Sequence, residues 1–238
     1  MSTARIPGRK RVIEYPETDG KPMAENTLQF EWIVTVKEGL DALYREVPLV
    51  FVAGDLFWYP IEGDNRTRLA PDTMVVFGRP KGHRRSYLQW LEDGIAPQVV
   101  FEILSPSNRP AEMQHKFELY EKFGVEEYYI YDPDSGLLEG YRRRAGALKK
   151  IRDMAGFVSP RLGIRFEPGE GPDNLVIVRP DGEPFKTFQE VDDERKELAR
   201  QRNELVRERD EVSRERDEAA ERAARYLAKL RELGIEPD

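Results

Sequence analysis

Between Val99 and Leu104 the chain reads Val-Val-Phe-Glu-Ile-Leu, and the one charge in that apolar run, Glu102, is what most restricts how the sequence can fold. A short run of this composition predicts a strand covered on both faces, and an ionised carboxylate there is costly unless it is paired or holds a metal. A second acid, Asp72, opens another apolar stretch, Pro-Asp-Thr-Met-Val-Val-Phe. If the two strands are neighbours, both carboxylates can face one point, which predicts a divalent-cation site.

The rest of the pattern supplies the frame for such a site. Apolar residues Trp32, Ile33, Val36, Leu40 and Leu43 follow helical spacing over 27–44. Segments 49–59, 73–77 and 99–104 read as core strands, separated by Pro, Gly, Asp and Asn. Residues 112–123 predict a second helix, with Gly124 as its stop. Segments 127–131 and 137–141 flank Asp132-Pro-Asp-Ser-Gly136 and predict a hairpin, and 148–151, 164–167 and 175–178 predict further strands. Helix, strands, helix, strands is the order of an α/β or α+β sheet covered by helices. Parallel and antiparallel neighbours are not distinguished by pattern.

With 238 residues the chain has room for one ordinary domain and an appendage. The expected division is an N-terminal arm over 1–26, a domain over 27–188 and a tail over 189–238. There is no cysteine, which excludes disulfides and thiolate metal sites, and two histidines make a poor basis for a zinc centre. Hard oxygen donors remain. No eighteen apolar residues run together, and the basic N-terminal stretch is not followed by an apolar segment, so a cytoplasmic protein is expected, with no membrane contact. The net charge of −7 is spread along the chain, with 16 acidic and 12 basic residues in 189–238, and it neither attracts nor forbids nucleic acid.

The tail is a long charged helix by composition. Leu198, Leu205, Val212, Ala219, Tyr226 and Leu233 recur every seven residues, but three residues before the first four of a regular seam stand Arg195, Arg202, Arg209 and Arg216. Self-association through a coiled coil and a solvated helix held by Glu/Arg pairs both fit.

Magnesium, or manganese, suits the acid pair: it takes oxygen ligands, keeps several waters and is held by one or two carboxylates. The backbone carbonyl of Ile103 is a candidate third ligand. Lys116, on the helix after the Glu102 strand, is a candidate to orient the attacking water or to neutralise a phosphate in metal-assisted phosphodiester hydrolysis. Blander readings stand beside these: Asp72 as a turn carboxylate, Glu102 paired with Arg79 or Arg109, Lys116 as a solvated lysine. Ser105 has no suitable histidine and reads as a loop or cap residue.

Pro71-Asp72, Glu102-Ile-Leu-Ser-Pro-Ser107, Lys116 with Tyr120, Gly124-Val125 and Glu127-Tyr-Tyr-Ile-Tyr-Asp-Pro133 together resemble the Uma-two family of restriction-endonuclease-like proteins, within the PD-(D/E)XK nuclease superfamily. The resemblance spans roughly 23–179. It implies a restriction-endonuclease-like mixed α/β sheet flanked by helices, DNA as substrate, Asp72 and Glu102 as metal ligands and Lys116 as the catalytic lysine. The chain departs from the superfamily pattern, which places lysine two residues after the second acid, where Leu104 stands here. The lysine must therefore come from the helix. Some relatives add an acid from the first helix, for which Glu25 and Glu31 are the candidates. For DNA, the cluster Arg79, Lys81, Arg84 and Arg85 with His83 is expected to contact phosphates, and Arg142 to Arg144 form a second cluster.

The leading expectation is a magnesium-dependent endonuclease, with a homodimer, through the tail or otherwise, supplying two sites for a double-strand cut. A catalytically inactive nuclease fold that binds nucleic acid or protein through its tail is the alternative. A carboxylate-pair sugar hydrolase, which needs no metal, is the third.

Overall fold

The computed structural model describes residues 13–18, 20 and 22–233, so most of the expected arm, including its basic start, and the tail's last five residues lie outside the described residues. The chain divides into two compact units, Met1–Thr187 and Phe188–Asp238.

The first unit is built on a mixed six-stranded sheet. Its strands are β1 (Val50–Ala53), β3 (Thr73–Phe77), β5 (Val99–Ile103), β6 (Glu127–Asp132), β7 (Leu137–Arg144) and β8 (Ala147–Lys150), side by side in that order. Only β5 and β6 run parallel; the other neighbours are antiparallel. A parallel step needs a crossover, and helix α2 (Pro110–Phe123) makes it. The hairpin expected at Asp132–Gly136 joins β6 to β7, closed by the Gly136 N–H on the Asp132 carbonyl. Two short pairs complete the unit: β2 (Trp58–Tyr59) parallel to β4 (Tyr87–Leu88), and β9 (Arg165–Pro168) antiparallel to β10 (Leu175–Val178).

Alternation along the strands sends side chains to two cores. Val99, Phe101 and Ile103 of β5 join Ile33, Val36 and Leu40 of helix α1 (Thr27–Leu43), together with Phe166 and Ile177 of the β9–β10 pair. Val100 faces the other way, with Met74, Val76 and Tyr128, under Tyr120 of α2 and Trp58 of β2. Position 102 falls on this second face, and so does position 72.

Local chemistry sets the helix ends. Asn26 caps α1 through its side-chain oxygen on the Gln29 N–H, 2.8 Å. Helix α2 starts with Pro110 at its first position, where no N–H is needed. It stops at Gly124, whose φ of 96° suits glycine. Gly39 is needed for space: a Cβ there would meet the Phe185 ring at 2.4 Å.

The second unit is helix α3 (Phe188–Glu232), 45 residues with none buried. Exposed pairs such as Lys196 with Asp192 and Arg225 with Glu221 lie one turn apart along it; each such pair contributes about 0.2–0.5 kcal/mol. No helix among the described residues is long and apolar enough to cross a membrane.

The single strand expected over 49–59 is interrupted. Asp55 adopts φ 46°, and the chain breaks after Ala53 before resuming in β2.

Candidate active site

Strands β3 and β5 pair antiparallel, with Thr73 opposite Phe101 and Met74 opposite Val100. One further step sets Asp72 opposite Glu102, and residues directly opposite in an antiparallel pair share a face. The Ile103 N–H donates to Asp72 Oδ2 at 2.6 Å, which fixes Asp72 at the mouth of the strand pair.

Glu102 is 2 % exposed and fully engaged from the α2 side. Lys116 Nζ donates to its Oε2 at 2.7 Å, and the Tyr120 hydroxyl donates to Oε1. Lys116 and Tyr120 are four residues apart and so lie on one face of α2, which is how a helical lysine arrives where a strand lysine is absent. The indole of Trp58 lies parallel to the Tyr120 ring at 6.3 Å and backs it. Neither Arg79 nor Arg109 neutralises Glu102; Lys116 does.

Burial, and then the charge of Glu102, push the Asp72 carboxyl well above its ordinary pKa, against the opposing pull of Lys116 and the Ile103 N–H. Lys116 moves up as well: burial works against its ammonium, but Glu102 and Asp72 outweigh it. Tyr120 is raised by burial and by Glu102. The Tyr128 hydroxyl, fully buried and raised by burial and then by the same two acids, has no hydrogen-bond partner among the described residues. Two carboxyl groups thus share one ammonium, and the Tyr128 hydroxyl is buried behind them.

The donor chemistry fits a hard cation. Two carboxylates face one space, and among the described residues no cluster of three or more His, Cys, Asp or Glu could hold a metal, so waters would complete the shell of a bound ion. The Ile103 carbonyl, expected as a ligand, already accepts a hydrogen bond from Gln29 Nε2 at 2.8 Å and keeps one lone pair. Sequence reading missed Gln29. The signal was present, since Asn26-Thr-Leu-Gln29 has the spacing of a capping box, and Gln29 Oε1 accepts from the Glu25 N–H at 2.9 Å.

A cleft of about 660 Å³ opens over Asp72 and Lys116. Its walls include Arg68, Arg109 and His115, none of them expected as phosphate contacts, and Glu17, Thr18, Pro22, Met23 and Glu25 of the arm, of which Glu25 alone was expected at the site. Glu25 lines this cleft and accepts from Ser105 Oγ at 3.1 Å, whereas Glu31 is exposed on α1 and does not line it. Ser105 shapes the loop: its N–H donates to Asn108 Oδ1 at 2.7 Å.

The expected phosphate-binding cluster is not brought to the cleft. Arg79 bonds Glu92 at 2.8 Å and Asp93, Arg84 bonds Glu92 at 2.6 Å, Lys81 lies 3.6 Å from Asp41, and Arg85 bonds Glu17 at 2.7 Å. Burial opposes charge on Glu92, but its two arginines hold its carboxyl below the ordinary value, so both guanidiniums are committed to it. In the second cluster Arg143 is spent on backbone carbonyls at the end of α2, among them Glu121 at 2.5 Å.

No curated protein matches the chain. Among solved structures it is similar to one described as a "putative nuclease belonging to DUF820", from Anabaena variabilis. That likeness has 17% identity and a TM-score of 0.44, and it covers 62% of this chain and 84% of the other. Residues 32–167, more than half of the chain, match the family Uma2, described as "Putative restriction endonuclease", and the match includes Asp72, Glu102 and Lys116. The chain belongs to the Uma2 restriction-endonuclease-like family.

Proposed function

We propose that the first unit is a magnesium- or manganese-dependent endodeoxyribonuclease, with Asp72 and Glu102 as metal ligands, the free lone pair of the Ile103 carbonyl as a third donor, and Lys116 as the catalytic ammonium. The observation that carries this reading is the cross-strand placement of Asp72 and Glu102 on one face, with Lys116 delivered from α2.

A divalent cation held there supplies Lewis-acid charge to a scissile phosphate and makes its bound water more acidic. The remaining work belongs to the chain. Tyr120 fixes the orientation of Glu102, and the Ile103 N–H fixes that of Asp72. Lys116 lines the cleft beside Asp72, where a fixed ammonium would stabilise the charge that develops on the oxygens of a phosphate. Arg68 and Arg109 in the cleft walls, rather than Arg79, Lys81, Arg84 and Arg85, take the flanking phosphates, giving salt-dependent and largely sequence-independent affinity. Such a protein acts on cytoplasmic DNA.

One observation favours the alternative of a fold kept for binding alone: Glu102 is already satisfied within the chain by Lys116 and Tyr120. Chelation separates the two. Purified protein is expected to nick supercoiled plasmid with magnesium or manganese, to lose that activity with EDTA and to regain it on adding excess metal. Plasmid binding that EDTA leaves unchanged, with no nicking at any metal concentration, supports the binding fold instead.

A further inference from the structure

Helix α3 carries an apolar stripe that nothing among the described residues of the second unit covers. Leu198 is 66%, Leu205 65%, Val212 64% and Tyr226 71% exposed, the first three at intervals of seven residues and the last after a further fourteen, with Ala219 between. In heptad terms these are d positions, and the a positions three residues earlier read Phe188, then Arg195, Arg202, Arg209 and Arg216, then Ala223 and Leu230. The seam is thus apolar at both ends and alternates arginine with Leu or Val through the middle. Its occupant can be read from that alternation.

We infer that α3 pairs with α3 of a second copy in antiparallel orientation. A parallel, in-register pair would set a against a and stack four arginine layers in succession, each guanidinium on its own copy. An antiparallel pair sets a against d, so every arginine meets an apolar residue, along which its aliphatic stem lies while the charged end reaches water.

Aligning the apolar ends fixes the register. Phe188 opposite Leu233 puts Val191 against Leu230 and Leu198 against Ala223. The same register sets Arg195 on the ring of Tyr226, a cation–π arrangement, and Arg209 on Val212. The flanks agree as well. On the side next to d, Ala199 comes opposite Ala220 and Val206 opposite Ser213, small enough for close approach. On the other side, Glu194 comes by Lys229 and Gln201 by Arg222 towards the ends, while Glu208 meets Glu215 at the centre, where Arg209 and Arg216 of the seam lie next to them. A parallel pair offers neither match.

A helix of 45 residues is about 67 Å long. In this orientation the two helices of the pair start at opposite ends of the scaffold.

The chain has no cysteine, so introduced thiols report cleanly. The full chain is expected to sediment as a dimer as its concentration rises. Two full-length variants, Leu198→Cys and Ala223→Cys carried on a longer tag, are mixed and treated with a short bis-maleimide. The expected product is the mixed cross-link, while Leu198→Cys alone stays monomeric on a denaturing gel, its two thiols being about 37 Å apart in this register. Cross-linking of Leu198→Cys to itself as fully as in the mixture overturns the orientation, and a chain that sediments as a monomer at every concentration overturns the pairing. Neither readout depends on nuclease activity, so the inference stands or falls apart from the proposed function.

Discussion

Glu102→Gln is expected to lower metal-dependent plasmid cleavage about a thousandfold, with the protein still folded. The substitution keeps the shape and leaves an oxygen for Lys116 or Tyr120 to bond, but it removes the charge that an ion would need, and losing one preorganised electrostatic partner costs on the order of 10²–10³ in rate. The variant relieves Asp72 of the like charge that helps to raise its carboxyl, which offsets part of the cost of leaving the Lys116 ammonium without its carboxylate. The two measurements are cleavage rate at saturating magnesium and urea unfolding of the same samples. A variant that cleaves at the parent rate removes Glu102 from the chemistry; one that unfolds shows that its carboxylate serves the fold.

Trp58→Ala carries the largest expected effect on stability. Trp58 is fully buried, donates from Nε1 to Gln89 Oε1 at 2.9 Å, and packs on Tyr120 and Phe123. Truncating a buried aromatic costs about 3–5 kcal/mol, a large share of the roughly 5–15 kcal/mol that holds a domain together. The lost indole also leaves Tyr120 without its backing. At a temperature where the variant remains folded, cleavage is therefore expected to fall a further ~10-fold or more, as for a lost group that orients a metal ligand. Urea unfolding reads the first effect and a rate on the folded fraction reads the second. A loss below about 1 kcal/mol would mean that β2 is not packed as described.

Much of this site could be read from the chain because alternation in strands is strict. Once 73–77 and 99–103 are strands, residues 72 and 102 each fall on the face opposite to their immediate neighbours, and an acid on an apolar face demands a partner. What could not be read is pairing. Whether β3 lies beside β5, and which way it runs, is decided by contacts between residues far apart in sequence, and only that register makes the two carboxylates converge. Lys116 was legible as a candidate through helical spacing, and its bond to Glu102 was not.

The misplaced residues have equally specific causes. The basic cluster after β3 looked available for phosphate because its neutralising acids are scattered: Glu92 and Asp93 come from the turn after β4, Asp41 from α1 and Glu17 from the arm. Arg68 and Arg109, by contrast, stand singly in loops with no pattern to mark them, and tertiary folding alone brings them to one cleft. Strands β2 and β4 are two residues each, too short for any periodicity; β2 was read into one strand over 49–59 and β4 was not expected.

Everything proposed for the first unit rests on Asp72 and Glu102 sharing one cation. Crystals of the protein soaked in manganese, with anomalous data collected at the manganese edge, test this most directly. The account predicts one strong peak within about 2.5 Å of oxygens from both carboxylates, absent in an Asp72→Asn crystal treated in the same way. A peak bound to neither acid, or an empty pocket at saturating manganese with Lys116 still on Glu102, would contradict it.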